Sequence, residues 1–240
     1  MTHTSPRKLY SMMKGISTFL DHINIHYDEE GIHFQGMDPS QVCLISAEIL
    51  AGEWESYKLI NGEAGTFGLS IKELIKVLKY TTDSDTLRLC YDDKTDDARI
   101  VIEVEGKDRS FKVKQALIDI DADELAIPEI EYSTMIRYEP TDWKEYTSTF
   151  QCIEPYTLEL ATSVVDKSIF TMVGEGESGS MSQTIDLKTK MSRIDSGASV
   201  SLSYNLTHQI ATIGASMAEL YVCLEQGTPA LFHFTDTANV

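Results

Sequence analysis

The sequence has few of the residues that build disulfide frameworks, zinc clusters or membrane spans. Its four cysteines, Cys43, Cys90, Cys152 and Cys223, are widely spaced, form no Cys-x-x-Cys pair and lie in or beside apolar runs. We therefore interpret them as buried free thiols rather than disulfides or zinc ligands. No apolar run approaches the ~18 residues of a membrane span, and the first residues lack the apolar segment of a signal peptide. These absences predict a soluble protein that is neither exported nor bound to a membrane.

Signatures of catalysis are missing as well. The sequence contains no Gly-x-Ser-x-Gly and no phosphate-binding loop, which are the compact motifs of acyl and phosphoryl transfer. Acidic residues are so numerous that no single carboxylate pair is informative. The acidic run at 92–97 reads as a hairpin loop, because it lacks the spacing of a calcium loop. His22 and His26 stand four residues apart, but we interpret them as solvated or capping side chains rather than metal ligands. We predict no cofactor, no metal site and no enzyme activity.

Basic residues are scarce. Against 38 aspartates and glutamates there are 20 lysines and arginines, which gives a formal net charge of −18. So acidic a chain repels nucleic acid unless its lysines are gathered on one surface.

What the sequence does contain is an internal repeat. Ser17-Thr18-Phe19 returns as Ser148-Thr149-Phe150, and Leu69-Ser70 returns as Leu202-Ser203 in the same order. An alternating apolar segment follows the second motif in both copies, starting at Leu87 in the first copy and at Leu220 in the second. Within 240 residues of ordinary hydrophobic content, this order and spacing predict two copies of one helix-and-strand unit.

Four helices are predicted, two in each half. The second begins with the capping box Ser70-Ile71-Lys72-Glu73, and its Lys72, Lys76 and Lys79 share a face opposite the apolar stripe. Asp142 is the expected cap of the third helix, and Asn205 to Met217 reads as the fourth. Short alternating segments such as Gln41 to Leu50 predict strands.

The stretch from Ala116 to Glu131 differs from both halves. It is acidic, carries isolated large apolar residues and contains one proline. It is too apolar for a passive linker and too irregular for a long helix, so we interpret it as a connector and the lip of a groove for a partner.

Four segments in the right order resemble the proliferating cell nuclear antigen family, the DNA sliding clamps of eukaryotes and archaea. Gln35 to Val42 resembles that family's Met-Asp-x-Ser-x-Val segment, and Leu69 to Lys79 its second helix. Leu125-Ala126-Ile127-Pro128-Glu129 is similar to its connector, and Gly227-Thr228-Pro229 to its last hairpin. The resemblance covers nearly the whole chain.

The resemblance implies an α+β fold of two similar clamp domains, with residues 1–116 and 132–240 as the domains and 117–131 as the connector. It implies a homotrimeric ring around double-stranded DNA. The ring would tether DNA polymerase, the clamp loader and other proteins that carry a clamp-binding peptide. The expected location is the nucleus, or the cytoplasmic site of DNA replication.

Two sets of site residues follow from the resemblance. The expected DNA-binding residues are Lys8, Lys14, Lys72, Lys76, Lys79 and Lys144. The expected partner-peptide residues are Met37, Val42, Leu125, Ile127 and Pro229.

The chain departs from the family in its helices, because the first and third carry few lysines and the fourth has only His208. Two alternatives therefore stay open. One is a monomeric or dimeric viral processivity factor of the same fold, and the other is a small acidic hydrolase with dispersed carboxylates.

Overall fold

Alternating apolar and polar residues build antiparallel sheets throughout the chain, with helices between them. The structure is a computed structural model that describes residues 6–59, 62–91, 98–121, 124–214 and 217–235, and the main chain of residues 2–3. The predicted hairpin loop at 92–97 lies outside these residues. The chain divides into two compact units, Met1–Ala126 (unit 1) and Ile127–Val240 (unit 2).

Unit 1 contains two helices and two sheets. Its elements are β1 (Thr2–His3), α1 (Pro6–Ile16), β2 (His22–Tyr27), β3 (Gly31–Met37), β4 (Leu44–Leu50), a 3-10 turn (Ala51–Glu53), β5 (Gly65–Ser70), α2 (Ile71–Leu78), β6 (Thr86–Cys90), β7 (Arg99–Glu105) and β8 (Ser110–Ala116). The strand orders are β4-β3-β2-β5 and β1-β6-β7-β8.

Unit 2 repeats this plan. Its elements are β9 (Thr134–Tyr138), α3 (Pro140–Ser148), a 3-10 turn (Thr149–Cys152), β10 (Thr157–Thr162), β11 (Ile169–Gly176), β12 (Gly179–Asp186), β13 (Ser192–Ile194), β14 (Ser199–Ser203), α4 (Tyr204–Ile213), β15 (Glu219–Leu224) and β16 (Leu231–Thr235). The sheets are β12-β11-β10-β14 and β13-β9-β15-β16.

The predicted duplication is confirmed by these strand orders. The sheet β12-β11-β10-β14 repeats β4-β3-β2-β5, and the run β9-β15-β16 repeats β1-β6-β7. Ser70 and Ser203 occupy the same place, at the cap of the helix that follows the fourth of these strands. The small β13 is an addition, and within the described residues of unit 2 no strand corresponds to β8.

Each unit encloses its own apolar core beneath a pair of packed helices. In unit 1, α1 and α2 contact each other and bury Leu9, Met13, Ile71 and Leu78. In unit 2, α3 packs against α4, and the fully buried Trp143 donates its indole N–H to the Thr207 carbonyl at 3.1 Å. Burying the apolar stripe of every helix leaves its polar face outward.

Helix ends agree with the prediction in one case and differ in others. Ser70 caps α2 by accepting the Glu73 N–H at 3.4 Å. The expected cap at Asp142 is wrong, because α3 begins at Pro140 with Glu139 in the cap position. Proline suits a first helical position, where its missing N–H has no partner to lose. The fourth helix ends earlier than expected, at Ile213, because Gly214 leaves the helical conformation.

The cysteines are free, as predicted, but they are not all buried. Cys223 is buried and Cys43 half-buried, whereas Cys90 and Cys152 are exposed. Cys90 is the last residue of β6, and its side chain lies on the exposed face of that strand. An apolar run in the sequence does not reveal which face each of its residues takes. None of the helices in the described part of the chain is long and apolar enough to span a membrane.

Candidate functional site

The second helix carries the lysine face that the sequence predicts. Ile71, Leu74 and Leu78 are buried on one side of α2, and the outward side carries three exposed lysines. We call Lys72, Lys76 and Lys79 the α2 lysine face. Since it lies opposite the buried stripe, its charge can be changed without disturbing the core.

Two of these lysines already have acidic partners. The Lys72 ammonium lies 2.7 Å from the Asp21 carboxylate, and that of Lys76 lies 2.6 Å from Glu73. The hydrogen bond from Lys72 lowers the pKa of Asp21 below its ordinary value. Lys79 has no ion pair among the described residues. The α2 lysine face therefore attracts an anion less strongly than three unpaired lysines would.

The first helix adds a basic residue that the sequence analysis missed. The Arg7 guanidinium lies 4.8 Å from the ring centre of Tyr10, and the Lys14 ammonium lies 6.0 Å from it. Arg7 and Lys14 are exposed, whereas the predicted Lys8 is half-buried. Positions 7, 10 and 14 follow the three- and four-residue steps of one helix face, and this spacing could have identified Arg7.

The helices of unit 2 contribute little positive charge. Lys144 is exposed on α3. On α4, the His208 Nδ1 lies 2.9 Å from the Thr147 hydroxyl, and its Nε2 lies 3.3 Å from the Gln151 amide nitrogen. Burial, followed by the Lys144 charge, lowers the pKa of His208. The imidazole is therefore neutral near pH 7.

The connector is anchored to the outer face of β2 and β3. Asn24 donates its amide N–H to the Ile120 carbonyl at 3.0 Å. The Gln35 side chain bonds both main-chain groups of Leu125, accepting the N–H at 2.7 Å and donating to the carbonyl at 2.8 Å. Earlier in the connector, the Ile118 N–H donates to the main-chain carbonyl of Gly68 on β5 at 3.0 Å. These bonds explain why unit 1 extends to Ala126, past the predicted end of the first domain at residue 116.

A buried carboxylate organises the loop between β3 and β4. Asp38 is only 6% exposed. It accepts main-chain N–H bonds from Ser40 at 3.0 Å, Val42 at 2.8 Å and Cys43 at 2.6 Å, and a further bond from the Ser40 hydroxyl. The loop turns at Gln41, whose φ is +58°. The predicted strand from Gln41 therefore begins only at Leu44.

Unit 1 exposes three of the apolar residues predicted to bind a partner peptide. Met37, at the end of β3, is 38% exposed, and Val42, in the Asp38 loop, is 68% exposed. Leu125, held by Gln35, is 44% exposed. A contiguous exposed apolar patch marks an interaction surface, whereas single exposed apolar side chains do not. Met37 and Val42 flank Asp38, and Leu125 is bound to Gln35, two residues before Met37.

The remaining two predicted residues belong to unit 2. Ile127 is 55% exposed, and Pro229 is exposed beside β16, where its carbonyl accepts the Tyr132 hydroxyl at 3.2 Å. All five predicted partner-peptide residues are therefore at least partly accessible.

Each unit also has a long edge strand. β8 ends the sheet β1-β6-β7-β8, and β12 ends the sheet β12-β11-β10-β14. Lys112 on β8 pairs with Glu103 at 2.8 Å, and Arg109 just before β8 lies 4.0 Å from Asp85. On the unit 2 side, Glu177 accepts the Tyr156 hydroxyl at 2.7 Å. An edge strand offers unpaired main-chain groups to another strand.

Comparison with known proteins identifies relatives along the whole chain. The profile described as "Proliferating cell nuclear antigen, N-terminal domain" matches residues 7–125. The proliferating cell nuclear antigen of Chaetomium thermophilum is 26% identical over 231 residues, which cover 95% of this chain and 88% of the relative. A DNA polymerase sliding clamp from Nitrosopumilus maritimus is 26% identical over 238 residues, covering 97% and 90%.

A solved structure shares the fold. The crystal structure of proliferating cellular nuclear antigen from Entamoeba histolytica matches with a TM-score of 0.89 at 18% identity. The match covers 99% of this chain and 93% of that one. The α+β fold of two clamp-like units is therefore shared along the whole length.

Proposed function

Because the chain belongs to the proliferating cell nuclear antigen family, we propose that it is the subunit of a DNA sliding clamp, a homotrimeric ring around duplex DNA. The duplicated unit, with the same strand order in both halves, is the observation that carries this proposal. A repeated unit that joins head to tail with its copies can close into a ring. Such a ring acts by topology and performs no chemical step, so it needs neither catalytic residues nor a cofactor.

The outward helix faces are the proposed DNA-facing surface. The α2 lysine face, Lys8, Lys14 and Lys144 supply the charge that we assign to phosphate contact, and Arg7 joins them. Lysines that meet phosphates give weak, salt-sensitive attraction without base recognition. The pairing of Lys72 with Asp21 and of Lys76 with Glu73 weakens that attraction further. Weak contacts suit a protein that must slide.

Assembly is proposed to join β8 of one copy to β12 of the next. Both are edge strands, of 7 and 8 residues, so an antiparallel pairing would satisfy main-chain groups of both. Lys107, Arg109, Lys112 and Lys114 surround β8, whereas Glu175, Glu177 and Asp186 surround β12. Opposite charge favours this head-to-tail contact over a contact between like edges.

Partners are proposed to bind through a short amphipathic peptide. Met37, Val42, Leu125, Ile127 and Pro229 are the residues that we assign to it, on the grounds of their exposure and family resemblance. The expected partners are DNA polymerase, the clamp loader and other replication and repair proteins. The site of action is then wherever that DNA is replicated, the nucleus or the cytoplasm.

Light scattering at micromolar concentration tests the ring. We expect a mass three times that of the 26.9 kDa chain. Reversing the charge of Lys112 and Lys114 together should shift the protein towards monomer, while charge reversal at the exposed Lys58, outside both β8 and β12, should leave the trimer intact. A wild-type protein that remains monomeric at this concentration contradicts the homotrimer.

A topological assay tests function directly. Protein loaded by its clamp loader onto a nicked circular plasmid should co-elute with the DNA and be released when the plasmid is cut once. A ring is lost from a free DNA end, whereas a protein held by contacts alone stays bound. Retention on linear DNA would favour the non-ring processivity factor.

A further inference from the structure

Two histidines and a glutamate meet on the outer face of unit 1. His26 on β2 and His33 on β3 are direct antiparallel partners, and their rings are stacked with centres 4.9 Å apart and planes 11° apart. The Glu124 carboxylate, from the connector, lies 3.8 Å from the His33 Nε2. One ligand atom from each of the three side chains lies within 4.8 Å of the other two.

A fourth residue fixes the orientation of one imidazole. The Thr66 hydroxyl on β5 lies 2.8 Å from the His26 Nδ1, and Thr66 is the register partner of His26 on that side. Occupation of Nδ1 leaves Nε2 of His26 as the free ligand atom. Hydrogen bonding at the other ring nitrogen is the usual support of a metal-bound histidine.

We propose that His26, His33 and Glu124 bind a zinc ion. Two imidazoles and one carboxylate form an established zinc ligand set, and water completes the tetrahedron. With bonds of about 2.1 Å, tetrahedral ligand atoms lie about 3.4 Å apart. The ligand atoms here lie within 4.8 Å of one another, so they would have to approach by up to about 1.4 Å. The two stacked imidazoles would have to turn about their side-chain bonds to point at one ion. His33 and Glu124 are 38% and 52% exposed, so these side chains can turn and zinc can reach them.

Sequence reasoning missed this site because it paired His26 with His22. On a strand, residues four apart share a face but lie too far along it for one ion to bridge. The useful signal was the hairpin of β2 and β3, which places His33 directly opposite His26. Glu124 is distant in sequence and could not be assigned before the connector was placed.

Zinc would add an anchor to the connector. Glu124 directly precedes Leu125, whose main chain is held by Gln35. A metal bridge from Glu124 to β2 and β3 would restrain the same segment through its side chain. This consequence for the partner-binding surface rests on the proposed function, whereas the metal site itself does not.

Metal titration of the full-length protein tests the site. After removal of metal with a chelator, Zn²⁺ is titrated calorimetrically, and Co²⁺ is added as a spectroscopic probe of tetrahedral coordination. We expect one tight site per chain that is lost in His26→Ala and His33→Ala and weakened at least tenfold in Glu124→Gln. Thr66→Val removes no ligand, and we expect a loss of about tenfold because the supporting bond at Nδ1 is gone.

Two variants serve as matched controls. His22→Ala removes an exposed histidine from the same strand, and Asp119→Asn removes an exposed carboxylate from the connector. Both should bind zinc as the wild type does. Absence of zinc binding in the wild type overturns the proposal. So does unchanged binding in the two histidine variants, which would place the metal elsewhere, for example on exposed thiols.

The measurement needs no DNA, polymerase or trimer. A monomeric protein that binds zinc through these residues would refute the ring and support the metal site. A trimer that binds no zinc would support the ring and refute the metal site.

Discussion

Replacing Asp38 by asparagine should destabilise unit 1, because this one carboxylate supports the whole β3–β4 loop. Its Oδ1 accepts the N–H groups of Val42 and Cys43, and its Oδ2 accepts that of Ser40. Asparagine keeps one oxygen, so the Ser40 N–H would face an amide N–H instead. Hydrogen bonds to charged groups contribute about 1.5–3 kcal/mol each. We therefore expect the free energy of unfolding to fall by about 2–3 kcal/mol.

The pH dependence provides a second test of the same carboxylate. Burial raises the pKa of Asp38, but the bonds from Ser40, Cys43 and Val42 outweigh it and hold the pKa below the ordinary value of 3.8. A carboxyl whose pKa is lowered by folding stabilises the protein at pH values above its unfolded pKa. That stabilisation is lost as the pH falls through the lower, folded pKa. The advantage of wild type over variant should therefore be complete at neutral pH and shrink below about pH 4.

Urea unfolding at pH 7 and at several acid pH values measures both effects. Equal dependence on urea concentration in wild type and variant would show that stability alone has changed. Asp83→Asn is the matched control, since Asp83 is exposed, and its effect should stay within about 0.5 kcal/mol. If Asp38→Asn is as stable as wild type at pH 7, or the difference persists unchanged in acid, the reasoning is refuted.

Three further predictions concern the peptide surface, the helix charge and the connector. A peptide with glutamine, then an aliphatic residue, then two adjacent aromatics should bind with micromolar affinity in a calorimetric titration. Met37→Glu or Ile127→Ser should weaken peptide binding by ~1–3 kcal/mol through loss of an apolar anchor. The control Val165→Ser changes a side chain that is 94% exposed elsewhere and should not affect binding. Unchanged binding in both Met37→Glu and Ile127→Ser would place the peptide elsewhere. Replacing the α2 lysine face by alanines should leave folding and assembly intact but lower processive synthesis, most strongly at low salt. The reason is that fewer phosphate contacts make the attraction to DNA both weaker and less dependent on salt. A variant with wild-type processivity at every salt concentration would contradict DNA contact by these lysines. Gly68→Ala should destabilise unit 1 by about 1–3 kcal/mol, because the added Cβ would collide with the carbonyl of Ile118 in the connector. In the control Gly52→Ala, the added Cβ meets no atom within 4 Å, so that variant measures the effect of the methyl group alone. Equal unfolding midpoints for the two variants would exclude the collision.

The parts of the fold that depend on local pattern could be predicted from the sequence. Ser70 and Glu73 specify the start of α2 within four residues, and the apolar spacing fixes which face it buries. The duplication is equally local, since both copies keep the order of their motifs. Asp142 was misleading because Pro140, two residues earlier, also suits a helix start and determines it.

The contacts that define the candidate site were not predictable in this way. Lys72 is paired with Asp21, which precedes β2, and no spacing rule relates the two residues. The connector is held by hydrogen bonds from Asn24 to Ile120 and from Gln35 to Leu125, which are separated by 96 and 90 positions in the sequence. Such contacts depend on register between strands, which the alternation of side chains restricts but does not fix.

The way in which Gln35 holds Leu125 leaves the connector free to change over evolution. Both bonds go to the main chain of residue 125, so its position does not depend on which side chain it carries. Proline alone is excluded, since it lacks the N–H. A lineage could therefore alter the side chain at this position, and with it the preferred partners, while the path of the chain stays the same.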